Sequence, residues 1–332
     1  MPPQTPAILP PNPDIQAHPP KKNVKLVGVV TLALVVLVAL GFAFAYAGSA
    51  GVEEKAAAAS AAAAFSPKPF ASTTLTAKAA YVLDIPSGET LFSLNPDVQL
   101  PLASLTKIPL ALVVAESMPL DSIITIPRDT ASKGSAERLG KGEKWRVQDV
   151  IDFTLVASSN AGAEILAGAA DAEIHRRYPQ SPENGASLWR MNDLARQLHL
   201  TNTYFLNPSG LDVSTTLSGA YGSARDVAHL FAYAVTAEPD LFAGTASNGL
   251  LLTSVNGKTT SAFNTNESRD EIQGLILGKT GYTDLAGGNL AIVFDVGLAH
   301  PVVAVVLGST RDGRFDDMQK LVAAARTAVT GR

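Results

Sequence analysis

The sequence contains no cysteine among its 332 residues and only five histidines. The lack of cysteine excludes disulfide bonds, a thiol nucleophile and thiolate metal ligands. The histidines show neither the i, i+4 pairing nor the clustering with carboxylates that zinc sites have, so we predict no metal site and no cofactor. They are His18, His175, His199, His229 and His300.

Charged residues are also few, at 17% of the chain, and the net charge is −4. The sequence has no basic stripe and no interleaving of basic with aromatic residues, so we predict no nucleic-acid partner. Hydrophobic residues make up 46% of the sequence, which is enough for the core of one large domain or two ordinary ones.

The N-terminal quarter has the composition of a targeting segment. Residues 1–25 form a proline-rich, disordered tail that ends in lysines, and residues 26–47 carry no charge and are long enough to cross a bilayer. Lysines before this run and glutamates after it predict a signal-anchor helix with the N-terminus in the cytoplasm. A cleaved signal peptide stays open, because Ala43-Phe44-Ala45 fits a cleavage site.

Residues 48–75 are rich in alanine and proline, and we interpret them as a tether. The domain organisation that follows is a tail (1–25), a transmembrane helix (26–47), the tether and one globular domain (76–332). The tether predicts that this domain acts at some distance from the membrane surface.

The most informative pattern in the domain is Ser104-x-x-Lys107, at the start of an apolar helical run. Residues three apart lie on one face of a helix, so the Ser104 hydroxyl and the Lys107 amine should be neighbours, a nucleophile beside a base. The start of a helix also favours negative charge that develops during acyl transfer. Pro109 predicts a bend one turn further on.

Two further short motifs follow along the chain. A helix at 147–156 breaks at Ala157-Ser158-Ser159-Asn160 before the next helix begins, and the ordinary interpretation of Ser158 and Asn160 is that they cap helices. Lys279-Thr280-Gly281 lies in a β-rich run, where an isolated Lys-Thr-Gly is ordinarily a turn.

The three motifs occur in the order that is the known signature of penicillin-binding proteins and class A β-lactamases. From residue 76 onward the chain resembles the D-alanyl-D-alanine carboxypeptidase family of low-molecular-weight penicillin-binding proteins. The matching stretches are ASLTKI, GEKWRVQDVIDFTLVASSNAGAEILA, LTNTYFLNPSGLD, FNTN, GKTGYTDLAGGNLA and VVLGSTRDGRFDDMQKL.

The resemblance implies an α+β fold of the DD-peptidase and β-lactamase type, in which an antiparallel β-sheet is flanked by helices on both faces. It implies a serine peptidase that cuts the D-Ala-D-Ala end of peptidoglycan stem peptides and is inhibited by β-lactam antibiotics. Together with the predicted signal-anchor helix, this function predicts the bacterial cell membrane as the location, with the catalytic domain outside the cytoplasm.

By the same resemblance, Ser104 would attack the carbonyl between the two D-alanines. Lys107 would act as the base, provided that a dry, positively charged site lowers its pKa. Ser158 would relay the proton to the leaving amine, and Asn160 would orient Lys107 and hold the substrate backbone.

The Lys279 motif would bind the substrate's terminal carboxylate by resemblance. Lys279 would supply positive potential that also depresses the pKa of Lys107, and Thr280 would hydrogen-bond the carboxylate, next to Gly281. The backbone N–H groups of Ser104 and Tyr282 would form the oxyanion hole, and Arg314 would also reach the carboxylate. Two departures from the family pattern are Ser159, where glycine is frequent, and Tyr282, where histidine is common.

Three alternatives remain open. A DD-endopeptidase would use the same residues, and a serine β-lactamase would need an extra base such as a glutamate. Glu164 and Glu183 follow the middle motif, but neither lies in a recognisable motif. The third alternative, a non-catalytic wall-binding module, conflicts with the retention of every polar group named above.

Overall fold

A computed structural model describes residues 69–128, 138–297 and 299–331. The predicted tail, the predicted transmembrane helix at 26–47 and most of the predicted tether lie outside these residues. Within the described part of the chain, no helix is both long enough and apolar enough to cross a membrane.

The strands and helices of the described residues are as follows. The strands are β1 (Ala79–Asp84), β2 (Thr90–Leu94), β3 (Leu100–Pro101), β4 (Ile123–Thr125), β5 (Lys144–Arg146), β6 (Tyr204–Phe205), β7 (Ala220–Gly222), β8 (Gly249–Thr253), β9 (Thr259–Phe263), β10 (Leu275–Thr283), β11 (Gly287–Asp295) and β12 (Pro301–Ser309). The α-helices are α1 (Lys107–Ser117), α2 (Val147–Val156), α3 (Asn160–Arg177), α4 (Ala186–Gln197), α5 (Ala224–Ala237) and α6 (Gly313–Thr330). Short 3-10 helices span Ala103–Thr106, Ala243–Ala246 and Arg269–Glu271.

A five-stranded antiparallel sheet in the order β10-β11-β12-β1-β2 forms the centre of the fold. Its strands come from the two ends of the domain sequence, so the N-terminal hairpin pairs with the C-terminal strands. That hairpin is formed by β1 and β2. A three-stranded sheet (β3-β7-β6) and the pairs β4–β5 and β8–β9 surround the central sheet.

Both faces of the central sheet are buried, and β12 shows why its sequence is continuously apolar. Successive side chains of a strand point to opposite faces. Val302, Ala304 and Val306 therefore pack in one core, with α6, while the residues between them pack in the other core, with the remaining helices. This arrangement confirms the predicted antiparallel sheet with helices on both faces.

The segment around Ser104 differs from the predicted continuous α-helix. A 3-10 helix spans Ala103–Thr106, and the α-helix α1 begins only at Lys107. Pro109 therefore lies in the first turn of α1, where its missing N–H would have had no helical partner. The bend that we predicted after Pro109 is wrong for this reason, and the change of helix type occurs before the proline instead.

Residues 69–75, at the end of the predicted tether, contact the domain. The ring of Phe70 stacks on that of Phe92 with 5.1 Å between the centroids. The buried Asp317 of α6 then accepts hydrogen bonds of 2.9 Å from the backbone N–H groups of Thr76 and Ala77. These contacts attach the start of the domain to its last helix.

Candidate active site

Ser104 lies in the 3-10 helix that leads into α1, and the backbone before it is firmly held. The side-chain amide of Asn289 on β11 donates to the carbonyl oxygens of Pro101 (2.9 Å) and Leu102 (3.1 Å). Ala103 has a φ of +49°, in the left-handed region that costs a residue with a side chain on the order of 1 kcal/mol. The nucleophile segment is therefore fixed by the central sheet in a strained conformation.

The Lys107 amine connects three parts of the chain. Its Nζ donates to Ser104 Oγ at 2.7 Å, to Asn160 Oδ1 at 2.8 Å and to the main-chain oxygen of Ser209 at 2.8 Å. The Lys107 side chain is fully buried. The predicted nucleophile and base are thus in direct contact, and the predicted orienting residue Asn160 holds the base.

Burial lowers the pKa of Lys107 to about 7, while the nearby carboxylate of Glu164 opposes this change. The three contacts also suit the neutral amine. Its two N–H groups can donate to Asn160 and Ser209, which leaves the lone pair to accept the Ser104 proton. The amine can therefore exist as a base near neutral pH.

The break between α2 and α3 does not follow the ordinary capping interpretation of Ser158 and Asn160, because both side chains contact lysines of the site. Ser159, not Ser158 or Asn160, is the cap, because its hydroxyl accepts from the Gly162 N–H at 2.9 Å. Ser158 takes a φ of +53°, so its side chain and that of Asn160 are free to face the site. Because Ser159 forms the cap, the side chains of Ser158 and Asn160 are available to contact lysines.

Lys279 on β10 supplies the second amine of the site. Its Nζ donates to Ser158 Oγ at 2.7 Å and to the main-chain oxygen of Thr280 at 2.8 Å. Burial, with smaller contributions from the charges of Lys107 and Arg314, holds the pKa of Lys279 well below its ordinary value. We expected the charge of Lys279 to depress the pKa of Lys107, but burial is what lowers it.

Thr280, Gly281 and Tyr282, which follow Lys279 on β10, have different environments. A side chain at Gly281 would place a Cβ 2.8 Å from the Leu102 carbonyl oxygen, so glycine allows β10 to approach the nucleophile segment. The side chain of Tyr282 is half-exposed, with the Arg311 guanidinium 5.8 Å from its ring centre. The hydroxyl of Thr280 contacts the hydroxyl of Thr265 at 2.6 Å.

Arg314 lies behind this strand, in the first turn of α6. Its Nη1 donates to the Gly281 carbonyl oxygen at 2.9 Å, and its Nε has no hydrogen-bond partner among the described residues. The guanidinium thus supports the main chain of β10. The predicted contact of Arg314 with a substrate carboxylate stays a prediction.

The loop at 207–210 was not among our predicted site residues, although its Asn-Pro-Ser-Gly sequence signals a turn. Its Ser209 carbonyl oxygen is the third acceptor for Lys107. Asn207 Oδ1 accepts from the Gly210 N–H at 2.7 Å, and Gly210 has a φ of +76°. A Cβ at Gly210 would meet the Ala103 carbonyl oxygen at 1.9 Å, so only glycine fits against the nucleophile segment.

Two other residues neighbour the site: Thr265, which sequence reasoning missed, and Glu164, which it considered only as the extra base of a β-lactamase. Glu164 lies one turn after Asn160 on α3, and this i, i+4 spacing was the available signal. Burial raises the pKa of the Glu164 carboxyl, against the effects of a hydrogen bond with the Ser209 side chain and of the charge of Lys107. For Thr265 the sequence carried no signal beyond the FNTN stretch.

The chain matches the family model described as D-alanyl-D-alanine carboxypeptidase over residues 63–311. It is 28% identical over 244 residues to the D-alanyl-D-alanine carboxypeptidase DacB2 of Mycobacterium tuberculosis, which covers 71% of this chain and 77% of that protein. It is 31% identical over 159 residues to a D-alanyl-D-alanine endopeptidase of Pseudomonas aeruginosa. That match covers 47% of this chain and 46% of the relative, so it spans less than half of the relative's length.

Among solved structures, the fold is similar to that of Penicillin-Binding Protein D2 from Listeria monocytogenes in its ampicillin-bound form. The TM-score is 0.63 and the sequence identity 27%, and the match covers 76% of this chain and 97% of the other.

Proposed function

The chain belongs to the D-alanyl-D-alanine carboxypeptidase family, and on this premise we propose that it is a serine D-Ala-D-Ala carboxypeptidase that binds penicillin. The proposed substrate is a peptidoglycan stem peptide that ends in D-Ala-D-Ala. The observation that carries the proposal is the 2.7 Å contact between Ser104 Oγ and the buried amine of Lys107.

In the proposed acylation step, Ser104 Oγ attacks the carbonyl carbon between the two D-alanines while Lys107 Nζ takes the hydroxyl proton. The C–N bond then breaks, and the terminal D-alanine leaves as an amine. Ser158, which contacts Lys279, would relay the proton held by Lys107 to that amine, so that Lys107 returns to its neutral form. The product on the enzyme is an ester between Ser104 and the shortened peptide.

In the proposed deacylation step, water attacks the ester carbonyl and gives a proton to the Lys107 amine. The bond from the carbonyl carbon to Ser104 Oγ breaks, and the serine oxygen recovers a proton from Lys107. The peptide leaves as a carboxylate one residue shorter. In both steps the N–H groups of Ser104 and Tyr282 would stabilise the oxyanion.

The proposed carboxylate pocket lies on β10. Lys279 and Thr280 would bind the terminal carboxylate, and Arg314 would add positive potential from behind the strand. A bound carboxylate favours the charged form of Lys279, whose pKa burial has lowered. This pocket would distinguish a C-terminal D-alanine from a residue inside a peptide chain.

The second candidate function is a DD-endopeptidase with the same site, since one similar protein carries that name. A serine β-lactamase is the third, because Glu164 lies near Lys107 and is a candidate base for fast deacylation. The three functions differ in the substrate that is turned over and in the lifetime of the acyl-enzyme, so one set of assays separates them.

The test is D-alanine release from a pentapeptide ending in D-Ala-D-Ala by the full-length protein in detergent, with Ser104→Ala as the control. We expect release by the unchanged protein and none by the variant. Cleavage of a cross-linked dimer peptide without D-alanine release would favour the endopeptidase. Rapid consumption of benzylpenicillin would favour the β-lactamase, and inactivity on all three substrates would contradict the proposal.

We further propose that residues 26–47 anchor the protein in the cell membrane, with the catalytic domain outside the cytoplasm. The uncharged run and the lysines before it support this arrangement. Mass measurement of the protein from membranes tests it, because a cleaved signal peptide would remove residues up to about Ala45 or Ala47, whereas an anchor is retained.

A further inference from the structure

Thr265 connects two walls of the proposed site. Its Oγ1 lies 2.6 Å from Thr280 Oγ1 on β10. Its backbone N–H donates to the carbonyl oxygen of Val156 at 3.2 Å, at the end of α2 and two residues before Ser158. The residue therefore lies between the strand that carries Lys279 and the helix break that carries Ser158.

The position of Thr265 is fixed by the residue before it. The Asn264 side-chain amide donates to the main-chain oxygens of Thr245 at 2.8 Å and Ser247 at 2.7 Å. Asn264 Oδ1 accepts from the Asn266 N–H at 2.9 Å. With the backbone held on both sides, the Thr265 hydroxyl has little freedom to leave Thr280.

The number of protons available sets the direction of the hydrogen bond between the Thr265 and Thr280 hydroxyls. Each hydroxyl has one proton to donate, and a carboxylate only accepts. If Thr280 donates its proton to a ligand carboxylate, it has none left for Thr265. The Thr265 hydroxyl must then donate to Thr280 Oγ1, and such a chain strengthens the outer bond by polarisation.

We propose that Thr265 is a positioning residue for carboxylate recognition, because it turns the Thr280 proton toward the terminal carboxylate of the substrate or of a β-lactam. This inference rests on the proposed function, in which Thr280 binds that carboxylate. Thr265 itself stays one hydroxyl away from the ligand.

The test compares Thr265→Val, which keeps the shape but removes the hydroxyl, with Thr265→Ser, which keeps the hydroxyl. The second-order rate of Ser104 acylation is measured by mass with benzylpenicillin and with its neutral methyl ester. Thr265→Val should slow acylation by benzylpenicillin roughly 10-fold or more, the size expected when a hydrogen bond to a charged group is weakened. It should leave the rate with the methyl ester within about twofold.

The serine variant should react like the unchanged protein with both compounds. The matched control is Thr253→Val, which changes an exposed threonine on β8 and should affect neither rate. Equal slowing with benzylpenicillin and the ester would overturn the proposal, because it would indicate a structural role. Unchanged rates in Thr265→Val would also overturn it. Failure of the unchanged protein to be acylated by either compound would instead contradict the proposed function.

Discussion

At the scale of single residues, the proposed chemistry depends on the protonation state of Lys107. The amine is fully buried and in contact with the proposed nucleophile, and its pKa of about 7 makes it a base at neutral pH. Glu164 is the charged neighbour that opposes this shift, since a nearby carboxylate favours the ammonium form. A substitution at Glu164 should therefore change the pKa of Lys107 while the lysine itself is kept.

We predict that Glu164→Gln lowers the pKa of Lys107, because it removes the negative charge that stabilises the ammonium. The neutral amine is the active form, so the acidic limb of the pH–rate profile for acylation should move to lower pH. Acylation by benzylpenicillin between pH 5 and pH 9 measures this shift. Glu183→Gln is the matched control, and a limb that stays in place or moves to higher pH in Glu164→Gln would contradict the prediction.

At this scale, spacing alone predicted only the partners that are close in sequence, and the resemblance supplied Asn160, which lies 53 residues from Lys107. The spacing of Ser104 and Lys107 predicted their contact. The Ser209 oxygen lies 102 residues from Lys107 and is a main-chain atom, which any residue type could supply. Thr265 was missed for a similar reason, because a threonine in a loop has many ordinary roles.

At the scale of elements, three adjacent residues at the break between α2 and α3 have different roles. One stabilises a helix, and the other two contact lysines of the site. Ser159 caps α3, whereas Ser158 and Asn160 face Lys279 and Lys107. The sequence predicted the break, but the ordinary interpretation of Ser158 and Asn160 as caps does not hold, because Ser159 is the cap. Ser158 instead has a positive φ, and its hydroxyl contacts Lys279.

We predict that Ser159→Ala and Ser158→Ala have different effects. Loss of the cap in Ser159→Ala should lower the free energy of unfolding by about 1 kcal/mol. Ser158→Ala should slow D-alanine release by at least roughly tenfold, as expected for loss of a proton-transfer group, with a smaller change in stability. Chemical denaturation and peptidase assays on both variants measure this contrast. The opposite pattern would contradict the assignment of the cap.

The contact of the 207–210 loop with the nucleophile segment is a second element-scale feature. We predict that Gly210→Ala destabilises the protein by more than about 1 kcal/mol, because the position has a φ of +76° and lacks room for a Cβ beside the Ala103 oxygen. It should also slow acylation, since Ser209 would lose its position against Lys107. Gly257→Ala, which has a similar φ but open space around its Cβ, separates steric contact from backbone strain.

At the scale of the whole molecule, the fold was the part most fully predictable from sequence. The resemblance implied the antiparallel sheet with helices on both faces, and the strand order and the two cores have that arrangement. The pairing of β1 with β12 brings together chain ends more than two hundred residues apart, which local patterns do not encode. The central sheet then holds Ser104 and Lys279 on neighbouring segments.

Burial of Lys107 has a consequence for the stability of the whole protein. Its pKa is about 7 when folded and near its ordinary value of about 10.4 when unfolded, so the unfolded chain binds more protons between these values. Stability should therefore rise with pH in this window. Relative to Lys107→Met, the unchanged protein should gain up to about 2 kcal/mol between pH 7 and pH 9.

Urea unfolding of the unchanged protein and of Lys107→Met at both pH values measures this difference. A difference between the two proteins that is independent of pH would mean that Lys107 keeps an ordinary pKa in the folded state. The free energy of unfolding of the unchanged protein is compared with that of Lys107→Met at the same pH. Other titrating groups affect both proteins alike, so their effects largely cancel.

The role of Lys107 as the base is tested most directly by the pH dependence of Ser104 acylation by benzylpenicillin, followed by intact mass of the full-length protein. We predict a single adduct that is absent from Ser104→Ala, formed at a rate that rises about tenfold per pH unit below pH 7 and levels off above it, as expected for a single neutral base. No adduct at any pH, an adduct that persists in Ser104→Ala, or a rate that keeps rising to pH 10 would contradict the account of a buried lysine base.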